Sequence, residues 1–266
     1  MRTEFLAALD VSYSDACPVN ATTATTAAAV PTVATRRRAV VANTTQVNSF
    51  ARSTGYPSGN KTEEWIEVTN ATTLGKIGHE RGYPLNGTYR QTADIDGSQL
   101  TRPIGSKNHP FTGEYDGQCR TISNLSDCFV DTLKGNISHL QFTGANINSE
   151  KTTGLAACVV HDTGIVSNIR AKDVHILTRG YQHYAGIGGG EVIGTVSNTT
   201  AVNSRVETED KDADAGIGGG YVAAGGTVAN TMAVNSTVVT SGVDADAGIG
   251  GGEVAAGGTV ANTMAV

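Results

Sequence analysis

Five residues, Gly186-Ile187-Gly188-Gly189-Gly190, return at Gly216 and again at Gly248, at spacings of 30 and 32 residues. No other feature restricts the fold of this chain as tightly. A degenerate copy, Gly154-Leu155-Ala156-Ala157-Cys158, lies 32 residues earlier. A second block follows each copy: Gly164-Ile165-Val166-Ser167-Asn168, Gly194-Thr195-Val196-Ser197-Asn198, Gly226-Thr227-Val228-Ala229-Asn230 and Gly258-Thr259-Val260-Ala261-Asn262. Four tandem units with this period describe a solenoid, in which each unit buries its apolar side against its neighbours.

Aligning the units produces columns. Val166, Val196, Val228 and Val260 form one, and Ala171, Ala201, Ala233 and Ala265 another; both are expected to face the interior. Ile176, Val206 and Val238 form a third on the following strand, so each unit is expected to contribute about three short strands. Helices do not fit, because β-branched residues alternate with polar ones at period two and glycines interrupt every ten or so residues. The fold class expected is all-β: a right-handed parallel β-helix with rungs of about 30 residues, each strand pairing with its copy one rung away. Asn168, Asn198, Asn230 and Asn262 then form a structural ladder, expected to point inward at a turn and to bond to its own copies.

Composition agrees with a narrow core, since only 5% of residues are aromatic and 33 are glycine. Residues 1–64 read as a low-complexity, flexible Ala/Thr-rich segment or tether. Residues 65–150 read as an N-terminal cap and first coils. They carry Trp65, Ile66, Leu74, Tyr89, Ile95, Ile104 and Phe111 as core candidates, and one short helix is expected between Thr69 and Gly82. Residues 151–266 hold the repeats. The net charge is −6, and residues 154–266 alone carry 5 Lys/Arg against 11 Asp/Glu, which disfavours nucleic acid as a partner. Arg36-Arg37-Arg38 reads as a solvated run or processing site. No run approaches the length of a membrane span. Phe5 to Leu9 is a poor signal-peptide core. Cys17, Cys119, Cys128 and Cys158 leave the redox state open: Cys119 and Cys128 are close enough in sequence to bridge across a turn, and buried thiols fit equally. The nine Asn-x-Ser/Thr sequons, from Asn20 to Asn235, read mostly as chance in an Asn- and Thr-rich chain.

The order Gly216-Ile217-Gly218-Gly219-Gly220 through Gly226-Thr227-Val228-Ala229-Asn230-Thr231-Met232-Ala233 resembles that of bacterial proteins carrying the GLUG motif, with Ile-Gly-Gly in place of the usual apolar pair. Ala93-Asp94-Ile95-Asp96, Pro103-Ile104-Gly105, Pro110-Phe111-Thr112-Gly113, Tyr115-Asp116-Gly117 and Ile122-Ser123-Asn124-Leu125 are similar to the lead-in found before such repeats. The resemblance covers about residues 65–266. It implies an extracellular or cell-surface location and a role like that of adhesin-like proteins, or of non-catalytic repeat regions in immunoglobulin A peptidase-like proteins.

Three sets of residues carry possible chemistry. Asp212, Asp214, Asp244 and Asp246 stand at matching places in successive rungs, where they could gather a calcium ion; a solvated edge loop is the plainer reading. His161, Asp162, Arg170, Lys172, Asp173 and His175 bring acid, base and cation into one unit, as a glycan-active lyase or hydrolase needs, but no later rung repeats them and surface charge is the default. The glycine blocks lack the Gly-Lys-Ser/Thr of a phosphate loop. The function expected is therefore a non-enzymatic surface structural or adhesin-like module with no cofactor, meeting a glycan or protein surface. Self-association by coil stacking is the second expectation, because the repeat breaks off in mid-unit at Thr263-Met264-Ala265-Val266. A glycan-active enzyme is the third, and it requires a groove with close carboxylates.

Overall fold

The computed structural model describes residues 65–266; the tether reading of residues 1–64 and the Arg36–Arg38 run lie outside them. The described chain is a parallel β-solenoid with rungs of about 30 residues. Its first turn starts with the strand Ile66–Val68, after which Asn70 caps a helix at Ala71–Leu74 by accepting from Thr73 N–H at 2.9 Å. Leu74 is buried and Gly75 ends the helix.

Each repeating rung contributes four strands rather than three. In the rung that starts at Thr153 these are Thr153–Gly154, Ala157–Val160, Ile165–Lys172 and His175–Arg179. Their copies stack into four parallel sheets, named here the lead, glycine, long and back sheets. The extra strand is a two-residue one, too short to show an alternating pattern. The long sheet takes in Ile66–Val68, Thr88–Gln91, Glu114–Asp116 and Asn136–Thr143, so the coils before residue 150 continue the stack of the repeats.

Lateral pairing turns the sequence columns into real ones. One runs Ile66, Tyr89, Tyr115, Ile137, Val166, Val196, Val228, Val260. Another runs Ile95, Ile122, Phe142, Ala171, Ala201, Ala233, Ala265. Side chains shrink along both, from aromatic rings in the early coils to valine and alanine in the repeats. The wide end is filled by Tyr115, Phe129 and Phe142, with ring centroids 4.9 and 5.8 Å apart. Leu74, Tyr89, Ile95, Ile104 and Phe111 are buried, while Trp65 and Ile66 are half-buried. In the last described rung Val260 is half-buried and Ala265 exposed.

The Ile-Gly-Gly substitution is explained by the narrow end. A Cβ at Gly188 would lie 2.4 Å from Val196 Cγ1 and 2.4 Å from the Gly218 carbonyl, and Gly218 and Gly250 face Val228 and Val260 in the same way. Glycine makes room for the valine column, while Ile187 and Ile217 fill the space beside it and are fully buried.

The cysteines take neither of the two arrangements left open, a Cys119–Cys128 bridge or buried thiols. Cys128 bonds to Cys158, 30 residues on, with Cα atoms 5.7 Å apart. One turn of coil brings these two into adjacent rungs, a proximity that short sequence separation does not reveal. Cys119 is also in a disulfide, and none of the described cysteines is free.

Candidate functional site

The asparagine ladder is present but points outward. Asn168, Asn198, Asn230 and Asn262 all have φ between 53° and 56°, a left-handed conformation that asparagine tolerates better than most residues. It bends the long strand so that Val166 and Ile169, on either side, both turn inward, while the amides remain at least partly exposed. Asn198 donates to Asn168 at 2.9 Å, Asn230 to Asn198 at 2.9 Å and Asn262 to Asn230 at 3.1 Å. Asn168 Nδ2 lies 3.2 Å from His139 Nε2, which extends the column one rung earlier.

The mixed cluster of acid, base and cation is dispersed. His161 Nδ1 sits 2.6 Å from Asp162 Oδ1 at the corner before the long strand. That bond, with one from Thr163 N–H, holds the Asp162 carboxyl below its usual range. Arg170 points away from the core, Lys172 Nζ lies 3.8 Å from Asp173 Oδ2, and His175 Nε2 lies 3.7 Å from Glu207. Glu207 is already engaged by Arg205 at 2.8 Å. The eight-residue strand Ile165–Lys172 separates His161 from Asp173 by roughly 20 Å.

The four aspartates divide into two pairs. Asp212 and Asp244 occupy left-handed corners and share Lys211, whose Nζ lies 4.0 and 3.7 Å from them. Asp214 instead turns inward: it is only 1% exposed, and its Oδ1 accepts from Asp246 N–H at 2.8 Å. Among the described residues, the one close trio of potential metal-ligating side chains is Asp127, Cys128 and Cys158, whose sulfurs are spent in the disulfide.

Asp214 belongs to a constellation that spans three rungs. Glu191, Tyr221 and Glu253 form an outward column of the glycine sheet. Tyr184, Asp214 and Asp246 immediately precede Ala185, Ala215 and Ala247, which pair along the lead sheet and so put these three side by side. The Tyr184 and Tyr221 rings stack at 4.8 Å with planes 18° apart. Gly190, Gly220 and Gly252 run between the two columns. A Cβ at Gly252 would come within 2.8 Å of Asp214 Cβ, so this close seating of Asp214 needs glycine there.

Acidic groups and burial dominate the electrostatics of this face. Burial pushes the Asp214 carboxyl up to about 6 against the pull of the Asp246 N–H, and the Glu253 and Asp246 carboxylates push the same way as burial. Burial raises Glu191 as well, opposed by His161 and Lys107. It raises the Tyr184 phenol to about 12, with Asp214 adding to the effect, and Tyr221 rises for the same reasons. Asp214 Oδ2 is buried without a hydrogen-bond partner. Sequence reasoning isolated Asp214 and Asp246 but missed Tyr184, Glu191, Tyr221 and Glu253. The available signal was their position, directly after the glycine triplet or two residues before the repeated first glycine, where side chains of neighbouring rungs meet.

A Bacteroides ovatus protein described as a candidate immunoglobulin A1 protease shares this fold, with a TM-score of 0.60 and 19% identity over 77% of this chain and 76% of that one. No protein-family model matches the chain, and no curated protein does. No helix among the described residues is long and apolar enough to cross a membrane.

Proposed function

We propose that this chain is a non-enzymatic, adhesin-like module of an extracellular or cell-surface protein, a rigid β-solenoid that offers one outer face to a glycan or protein surface. The observation that carries this reading is the alignment of outward side chains in fixed columns, above all the Tyr184, Tyr221, Glu191 and Glu253 face. Such a surface is ordered before binding, which lowers the entropy cost of contact. The Cys128–Cys158 disulfide supports the location, because cross-linked rungs persist in oxidising compartments. The shared fold with a candidate immunoglobulin A1 protease supports membership among the repeat regions of peptidase-like proteins, and the Gly-x-Val-x-Asn blocks support the GLUG resemblance.

Binding of the full chain to a glycan array and to immobilised host surface proteins tests the reading. Saturable binding that is lost in a Tyr184→Ala, Tyr221→Ala double variant is the expected result. Cleavage of a bound glycan or protein, or binding no stronger than to a blank surface, overturns it. The glycan-active alternative has one favouring observation, the neighbouring carboxyls of Asp214 and Glu253, of which one is held protonated to higher pH than usual. Release of new reducing ends that stops in Asp214→Asn would decide for it.

A further inference from the structure

We propose that Asp214 and Glu253, on successive rungs of the outer face, take up a hard divalent cation of the calcium class. Glu253 follows Gly252, whose Cβ would lie 2.8 Å from Asp214 Cβ, and this seats Glu253 beside Asp214. Asp214 Oδ1 is committed to the Asp246 N–H, which leaves Oδ2 as an acceptor that is buried, unpartnered and set beside a second acceptor group. Two neighbouring carboxylates repel unless a proton or a cation lies between them. No basic side chain among the described residues pairs with either: Lys211 is taken by Asp212 and Asp244, and His161 by Asp162. Glu191 and Asp246 add further negative charge to the same face.

Oxygen donors of this kind suit calcium, which accepts irregular coordination and completes its shell with water. Two carboxylates with the remaining positions solvated make a weak site, in the range of about 10⁻⁴ to 10⁻³ M that extracellular calcium modules use. Of the four aspartates in the two Asp-Ala-Asp segments, Asp214 alone belongs to this pair. Asp212 and Asp244 share the Lys211 ammonium, whereas Glu253 comes from the next rung and shares no motif with Asp214. Ion binding would tie the Asp214 rung to the Glu253 rung across the ledge. It does not depend on the adhesive reading, because a solenoid that binds no glycan would still bind the ion.

Terbium, a calcium mimic, gives a direct probe, since excited Tyr184 and Tyr221 beside the site transfer energy to it. The full chain is titrated with terbium, then with calcium as competitor, and its thermal midpoint is measured with and without millimolar calcium. Sensitised emission displaced by calcium, with a calcium-dependent rise in the midpoint, is expected for the wild type and for Asp212→Asn and Asp244→Asn. At least a tenfold loss of affinity is expected in Asp214→Asn and in Glu253→Gln; the latter is exposed and should fold normally. Emission that persists in both variants overturns the site. So does its absence in the wild type, or a response to an alkylammonium ion with none to calcium.

Discussion

Removing the Cys128–Cys158 bond tests how the early coils are tied to the repeats. The bond closes a loop with a sequence separation of 30, which is one turn of the solenoid. For a loop of that size the chain-entropy estimate is about 12 cal/mol/K, or about 3.6 kcal/mol at 25 °C, lost from the unfolded ensemble. Cys158 stands where the later rungs have Gly190, Gly220 and Gly252, so in a Cys128→Ser, Cys158→Gly variant the second substitution copies the native repeat and the first removes the other sulfur. The variant should lose about 3 kcal/mol in urea unfolding under oxidising conditions. Reductant is unsuitable as the perturbation, because it also opens the Cys119 bond. Amide exchange resolves where the loss falls: Val130–Leu133 and Ala157–Val160, the strands on either side of the bridge, should lose protection before the strands around Val228. An unchanged midpoint would refute the argument, as would an equal loss of protection along the whole stack, because then lateral register, and not the cross-link, holds that junction.

Asn198→Leu should cost about 2–3 kcal/mol in the same assay, from two lost ladder bonds and a left-handed backbone that leucine resists; Asn198→Gly keeps the backbone and should cost less. Gly188→Ala, which drives a methyl into Val196 and the Gly218 carbonyl, should lose about 3 kcal/mol or prevent folding, as judged by thermal melting. Asp214 supplies a pH dependence. Its folded carboxyl titrates at about 6, above its unfolded value, so the stability contributed by the protonated form is complete below about pH 4 and lost as pH rises through about 6. The loss is about 3 kcal/mol at most, should vanish in Asp214→Asn, and is seen by urea melts across that window without added calcium.

The amino-acid sequence by itself determined the period and the inward columns. A stack of parallel strands makes every interior side chain touch its own copy, so a residue that fits at Val166 is repeated at Val196, Val228 and Val260, and a linear reading detects it. The glycine at position 188 is legible for the same reason, although the close approach of Val196 that requires it is not. Three matters were decided only by the tertiary structure. The asparagine column faces out and not in, because the left-handed φ at Asn168 and its copies bends the strand and turns the residues on either side inward. Cys128 joins Cys158 and not Cys119, because one turn of coil turns a separation of 30 residues into lateral contact. The Tyr184, Asp214, Tyr221 and Glu253 cluster draws its members from three rungs and from two different columns, one along the lead sheet and one along the glycine sheet. The spacing between rungs brings such residues side by side, and no period in the sequence records which of them will meet.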